Sequence, residues 1–200
     1  MNVARRKFEH HMLQDIGEFE RFLSFVRGQN VRSFLEIGSK NGGTFWRISN
    51  LLPKGSRVVS VDLPQGDTSF KDTQSNLEQC VSALADLGYD AYLFLGDSTN
   101  SDIIEKVKQL GPFDLCFIDA NHTEPYVRKD WKNYGSISNI VAFHDIGWIP
   151  RPEPSKKMPI EVPKVWNELK QEFEHMEIKL CPRDNGIGVL WRNRPITGMR

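Results

Sequence analysis

Two short stretches of the sequence concentrate groups that can move protons or hold ions: Asp119 with His122 in FIDANH, and His144 with Asp145 in FHD. Each follows an apolar run that reads as a buried strand, so these side chains stand where strands end. Adjacent strands lie about 4.8 Å apart, and groups ending both can converge on one ion at about 2.0 to 2.6 Å. Asp119, His144 and Asp145 are therefore a candidate metal set, with Mg or Mn suiting the carboxylates and an imidazole tolerated. The same residues could instead form a His-Asp hydrogen-bond network, in which His144 relieves the repulsion between two acids. His122, just beyond Asp119, could remove the proton from an acceptor hydroxyl as a general base. Its plainer alternative is a solvated residue leading into a helix.

Three further strand ends carry polar groups. The run Glu36-Ile37-Gly38-Ser39-Lys40-Asn41-Gly42-Gly43 closes one strand and opens a helix. Its glycines let backbone approach a ligand, and the helix presents free N–H groups. The spacing is E-x-G-x-x-x-G-G, without the second close glycine that accommodates a dinucleotide pyrophosphate, which argues against NAD. Asp62 ends VVSVD, where a carboxylate can accept from both hydroxyls of a ribose. Asp97 and Ser98 follow LFLG, in position to meet the edge of an adenine that Leu63 could cover. Capping of the helix near Ser101 is the structural alternative for that pair. Several strand ends converging on one crevice favour nucleoside binding.

The elements that hold these residues follow from periodicity. Phe8, Met12, Ile16, Phe19, Leu23 and Val26 recur at helical spacing between Arg5 and Gly28. After that helix, apolar runs alternate with helical stripes that end at glycine or proline. This is the pattern of an α/β, doubly wound parallel sheet covered on both faces. Ligands in such sheets lie at the carboxyl ends of the strands. From Gly147 to Pro163 five prolines exclude regular helix and central strand, so a long loop is expected. It leaves the sheet beside Asp145, which makes it a lid, with Trp148 touching substrate, or else a solvated connector or a contact within a homo-oligomer. VWNELKQEF then reads as a helix, and MEIKLC and IGVLW as an antiparallel pair joined through Asp-Asn-Gly. The chain divides into an N-terminal helix (1–29), a cofactor-binding core (30–146), a loop (147–163) and a C-terminal helix with hairpin (164–200), all one domain.

FLEIGSKNGGTFW, VVSVDL, LFLGDS and FDLCFIDANH, in that order, resemble the successive motifs of class I S-adenosylmethionine-dependent methyltransferases. The resemblance spans about Val31 to Trp191 and implies a Rossmann-like, mostly parallel seven-stranded sheet. It implies that Glu36, Gly38 and Gly43 border the methionine part of S-adenosylmethionine, Asp62 the ribose, and Asp97 with Ser98 the adenine. FIDANHTEPYVRKDW followed by VAFHDI is similar to the cephalosporin-hydroxylase-like and macrolide-sugar O-methyltransferases. In those enzymes an acid on strand four and an acidic pair after strand five hold a divalent cation. Here His144 stands where that pair has its first carboxylate.

Composition sets the outer bounds. The 200 residues carry 26 basic and 26 acidic side chains, so no net field gathers nucleic acid or anionic lipid. No run is apolar enough for export or for a membrane span. Cys80, Cys116 and Cys181 are odd in number and scattered, which points to reduced thiols in a cytoplasm. The expected activity is methylation of a small hydroxylated acceptor, a sugar or a diol, with His122 and Asp119 at the reacting end and a cation assisting. A metal-independent methyltransferase and a non-catalytic nucleoside-binding accessory protein are the alternatives.

Overall fold

The structure, a computed structural model, describes residues 14–63, 73–149, 159–180 and 185–195. The expected loop falls largely outside these ranges, as do Phe8, Met12 and Cys181. Helix α1 (Ile16–Arg27) starts where the Asp15 side chain accepts the Glu18 N–H and stops at Gly28. Phe19, Phe22, Leu23 and Val26 are its buried stripe, but Ile16, expected on that stripe, is 70% exposed.

Strand and helix then alternate through β1 (Ser33–Ile37), α2 (Gly43–Ser49), β2 (Arg57–Asp62), α3 (Thr73–Asp86), β3 (Asp90–Leu95), α4 (Ser101–Leu110), β4 (Phe113–Ile118), α5 (Glu124–Tyr134) and β5 (Ser138–His144). The chain continues through α6 (Val162–Leu169), β6 (Phe173–Ile178) and β7 (Ile187–Pro195). The seven strands form one sheet in the order β3-β2-β1-β4-β5-β7-β6. Strand β7 runs antiparallel to both of its neighbours, while β1 to β5 pair parallel. The doubly wound α/β expectation is met.

Both faces of the central strands are buried, which explains their near-continuous apolar runs. Phe34 and Phe117 face α1, α2 and α3, whereas Leu35, Ile37, Cys116 and Ile118 face the residues of α4, α5 and α6. Strand order reverses between β1 and β4, so the crevice at their carboxyl ends is the topological switch point where such sheets take ligands.

Two boundaries differ from expectation. Helix α6 begins at Val162, with Pro163 in its first turn, where a missing N–H is tolerated and a fixed φ suits the helix. It ends at Leu169, and Phe173, expected in the helix, opens β6. Among the described residues no helix is long and apolar enough to cross a membrane.

Candidate active site

The loop between β1 and α2 is shaped by backbone more than by side chains. Gly38 has φ 91°, and a Cβ there would lie 2.3 Å from the Asp119 carbonyl oxygen. Only glycine allows the β1 end to pass so close to the end of β4. Gly42, the residue before α2, also has a positive φ of 83°. The sequence had singled out Gly43, which is instead the buried first residue of that helix.

Under this loop Glu36 is fully buried, and neither carboxylate oxygen has a hydrogen-bond partner among the described residues. Burial pushes its pKa up to about 8, moderated by the nearby Thr44 and Ser39 hydroxyls and reinforced by Asp119 and Asp62. Asp62 accepts the Lys40 backbone N–H at 2.6 Å. Burial raises its pKa, and the backbone N–H groups of Lys40 and Ser39 resist that rise. One oxygen of the expected ribose acceptor therefore already braces the loop.

At the end of β3, Asp97 closes a local turn by accepting from the Thr99 N–H and hydroxyl, each at 2.8 Å. Asn100 takes the capping role for α4. The Ser98 hydroxyl donates to Asp130 Oδ1 at 2.7 Å, and the Tyr134 hydroxyl donates to the Ser98 carbonyl at 2.6 Å. Asp130, which sequence reasoning passed over, is fully buried. Its pKa is pushed up to about 7 by burial, with the Ser98 bond opposing. Leu63 is half exposed at this edge.

The four chemistry-bearing residues meet at the ends of β4 and β5. His122 Nε2 lies 3.2 Å from Asp119 Oδ1 and 3.5 Å from Asp145 Oδ2. His144 Nδ1 lies 3.3 Å from Asp119 Oδ1 and 3.2 Å from Asp145 Oδ1. Successive residues of a strand project to opposite faces. Asp145 has φ 61°, a conformation aspartate tolerates better than most residues, and it ends the strand so that its carboxylate stays beside His144.

Burial opposes the Asp119 charge, but the His144 cation and hydrogen bonds from both histidines outweigh it and hold the carboxyl well below its ordinary range. Burial likewise opposes a charged His144, and the two carboxylates override it, lifting that pKa. His122 is raised by the same acids against the same burial. His144 Nε2 is buried without a partner among the described residues. One donor atom each from Asp119, His144 and Asp145 falls within 4.8 Å of the others. Two hard oxygens and one imidazole nitrogen at that spacing fit a divalent ion of the Mg or Mn kind.

Two neighbours of this cluster had no signature in the sequence. Gln14, just before α1, donates from Nε2 to Asp119 Oδ2 at 2.6 Å. Glu161, which leads into α6, donates its backbone N–H to the His122 carbonyl at 2.8 Å. It also accepts the Glu124 N–H at 3.1 Å. Glu161, near the end of the proline-rich stretch, is thus tied to His122 through the backbone. Trp148 is half-buried, and its backbone N–H donates to the Asp145 carbonyl at 3.3 Å.

The sheet order, the antiparallel β7 and the polar strand ends at the switch point define a class I methyltransferase fold. Residues 35–146 match a family model described as a methyltransferase domain, and the chain belongs to that family. Among solved structures it is similar to the O-methyltransferase TomG of Streptomyces achromogenes, involved in tomaymycin synthesis and held in complex with SAM. The TM-score is 0.66 at 16% identity, covering 94% of this chain and 86% of that one. An O-methyltransferase of Bacillus cereus in complex with SAH matches at TM-score 0.65 and 17% identity, with the same coverage of 94% and 86%. A ribosomal RNA large subunit methyltransferase E of Treponema denticola is 31% identical over 86 residues, 43% of this chain. The chain spans only 35% of the length of that relative.

Proposed function

We propose that this chain transfers a methyl group from S-adenosylmethionine to a hydroxyl of a small acceptor, a sugar or a diol. The observation that carries the reading is the meeting of Asp119, His122, His144 and Asp145 at the switch-point crevice. S-adenosylmethionine supplies an electrophilic methyl on its sulfonium. Asp62, Asp97 and Ser98 would hold its nucleoside, with Glu36, Gly38 and Gly43 beside its methionine part.

His122 directs Nε2 at two carboxylates, so that nitrogen keeps the proton and Nδ1 is the basic one. Nδ1 would take the acceptor's hydroxyl proton as the oxygen attacks. Asp119 would then stabilise the resulting imidazolium and fix the ring's orientation. Asp119, His144 and Asp145 would hold a Mg or Mn ion, whose charge would acidify a hydroxyl bound nearby.

The even charge balance of 26 and 26 favours a small acceptor over a polyanion. The match to a ribosomal RNA methyltransferase carries a second reading, transfer to RNA. Incubating the protein with labelled S-adenosylmethionine and either hydroxylated metabolites or ribosomal RNA, with and without chelator, separates the cases. Methylated small molecules support the proposal, label in RNA alone replaces it, and full activity under exhaustive chelation removes the cation.

A further inference from the structure

We infer that Gln14 is a positioning residue of this site, fixing the Asp119 carboxylate through the oxygen that the histidines leave free. The inference rests on the methyl-transfer reading above. Asp119 Oδ1 is shared by His122 and His144 at 3.2 and 3.3 Å. Oδ2 receives the Gln14 Nε2 at 2.6 Å, from 105 positions away in the chain. A carboxylate held at one oxygen can swing about its last torsion; held at both, it cannot. His122 takes its tautomer and ring orientation from this carboxylate, so whatever fixes Asp119 also aims the base.

The donor is itself held rigidly. Asp15, the next residue, caps α1. The Glu18 carboxylate accepts the backbone N–H groups of Leu180 at 2.8 Å and Gly186 at 2.9 Å. The Phe22 ring packs 5.4 Å from Phe117, two residues before Asp119 on β4. Donor and acceptor thus ride on two elements packed against each other.

The amide's orientation carries the rest of the argument. An ionised carboxylate only accepts, so the NH2 end must face Asp119. That leaves Gln14 Oε1 buried without a partner among the described residues. A glutamine serving only to fill space has no reason to keep an unmatched buried oxygen, because an apolar side chain of similar length would avoid that penalty.

The test compares Gln14→Met, which keeps length without a donor, with Gln14→Glu, which keeps shape but sets an anion against Asp119. Both should lower kcat, by roughly ten-fold for Met and more for Glu, as expected when a hydrogen bond to a charged group is lost. KM for S-adenosylmethionine should stay near wild type, and the loss of kcat should exceed any loss of folded protein. The melt of Gln14→Glu should drop, because two anions then face each other. In the wild-type protein the Gln14 side-chain amide protons should resonate downfield, and Asp119→Ala should return them to ordinary positions. Wild-type kcat in Gln14→Met, or a loss that only follows the folded fraction, overturns the inference. If the wild-type protein methylates no acceptor, the function is wrong, and the amide signal alone then decides whether Gln14 holds Asp119.

Discussion

His144 and Asp119 share one contact, Nδ1 to Oδ1 at 3.3 Å, and the same nitrogen reaches Asp145 at 3.2 Å. A single ring charge therefore stands between two buried carboxylates. A proton on that ring and a divalent cation would do the same electrostatic work there. His144→Ala should remove that charge and destabilise the fold by about 3 kcal/mol, the typical cost of leaving buried charge unpaired. Added Mn should recover much of the loss in thermal melts. A variant that melts like wild type, with no response to Mn, would separate His144 from both roles.

His122→Ala should keep S-adenosylmethionine binding, because its ring contacts Asp119 and Asp145 rather than the residues proposed to hold the cofactor. Turnover should fall by about 10² to 10⁴, the usual contribution of a positioned base. Free imidazole should restore part of it. Wild-type kcat in this variant would assign the proton transfer elsewhere.

Asp62→Ala should weaken S-adenosylmethionine by about 1.5 to 3 kcal/mol, the range for a charged hydrogen-bond acceptor. Asp62 also receives the Lys40 N–H, so loop disorder could imitate that loss. Asp62→Asn separates the two, since it keeps an acceptor for Lys40 and lacks only the charge. Calorimetry showing unchanged affinity in both folded variants would take Asp62 out of the site.

Two buried acids set a pH dependence. Burial raises Asp130 to about 7 and Glu36 to about 8, whereas unfolded carboxyls titrate near 4. The folded state therefore binds more protons across that window, and stability falls as pH rises through it. The contribution is complete below about pH 4 and is lost once pH passes the folded values. Asp130→Asn keeps an acceptor for Ser98 and cannot ionise. Its unfolding free energy should fall less than that of wild type between about pH 5 and 8.5. Parallel urea curves at the two pH values would show that Asp130 does not titrate in this range.

The sequence disclosed what local pattern can encode. Apolar runs such as Phe34 to Ile37 and Phe113 to Ile118 announced buried parallel strands, and polar residues after them marked the crevice. Gln14 was invisible because it is a polar residue between the apolar positions of a helical pattern, and its partner is 105 positions away in the chain. Asp130 sits on an otherwise charged helix, EPYVRKDWKNY, where one more acid draws no notice until packing turns it inward. Pro163 misled for the opposite reason: proline breaks helices everywhere except in the first turn.

The Glu18 clamp makes α1 resemble a tethered ligand. Its carboxylate occupies two backbone N–H groups, and Phe19, Phe22, Leu23 and Val26 are at most 2% exposed against the sheet. That is the anatomy of a peptide seated in a receptor, an acidic anchor beside an apolar stripe, joined to its receptor by the short span 28–32. A tether of that length gives an effective concentration on the order of millimolar or more, so even a modest intrinsic affinity keeps the helix docked.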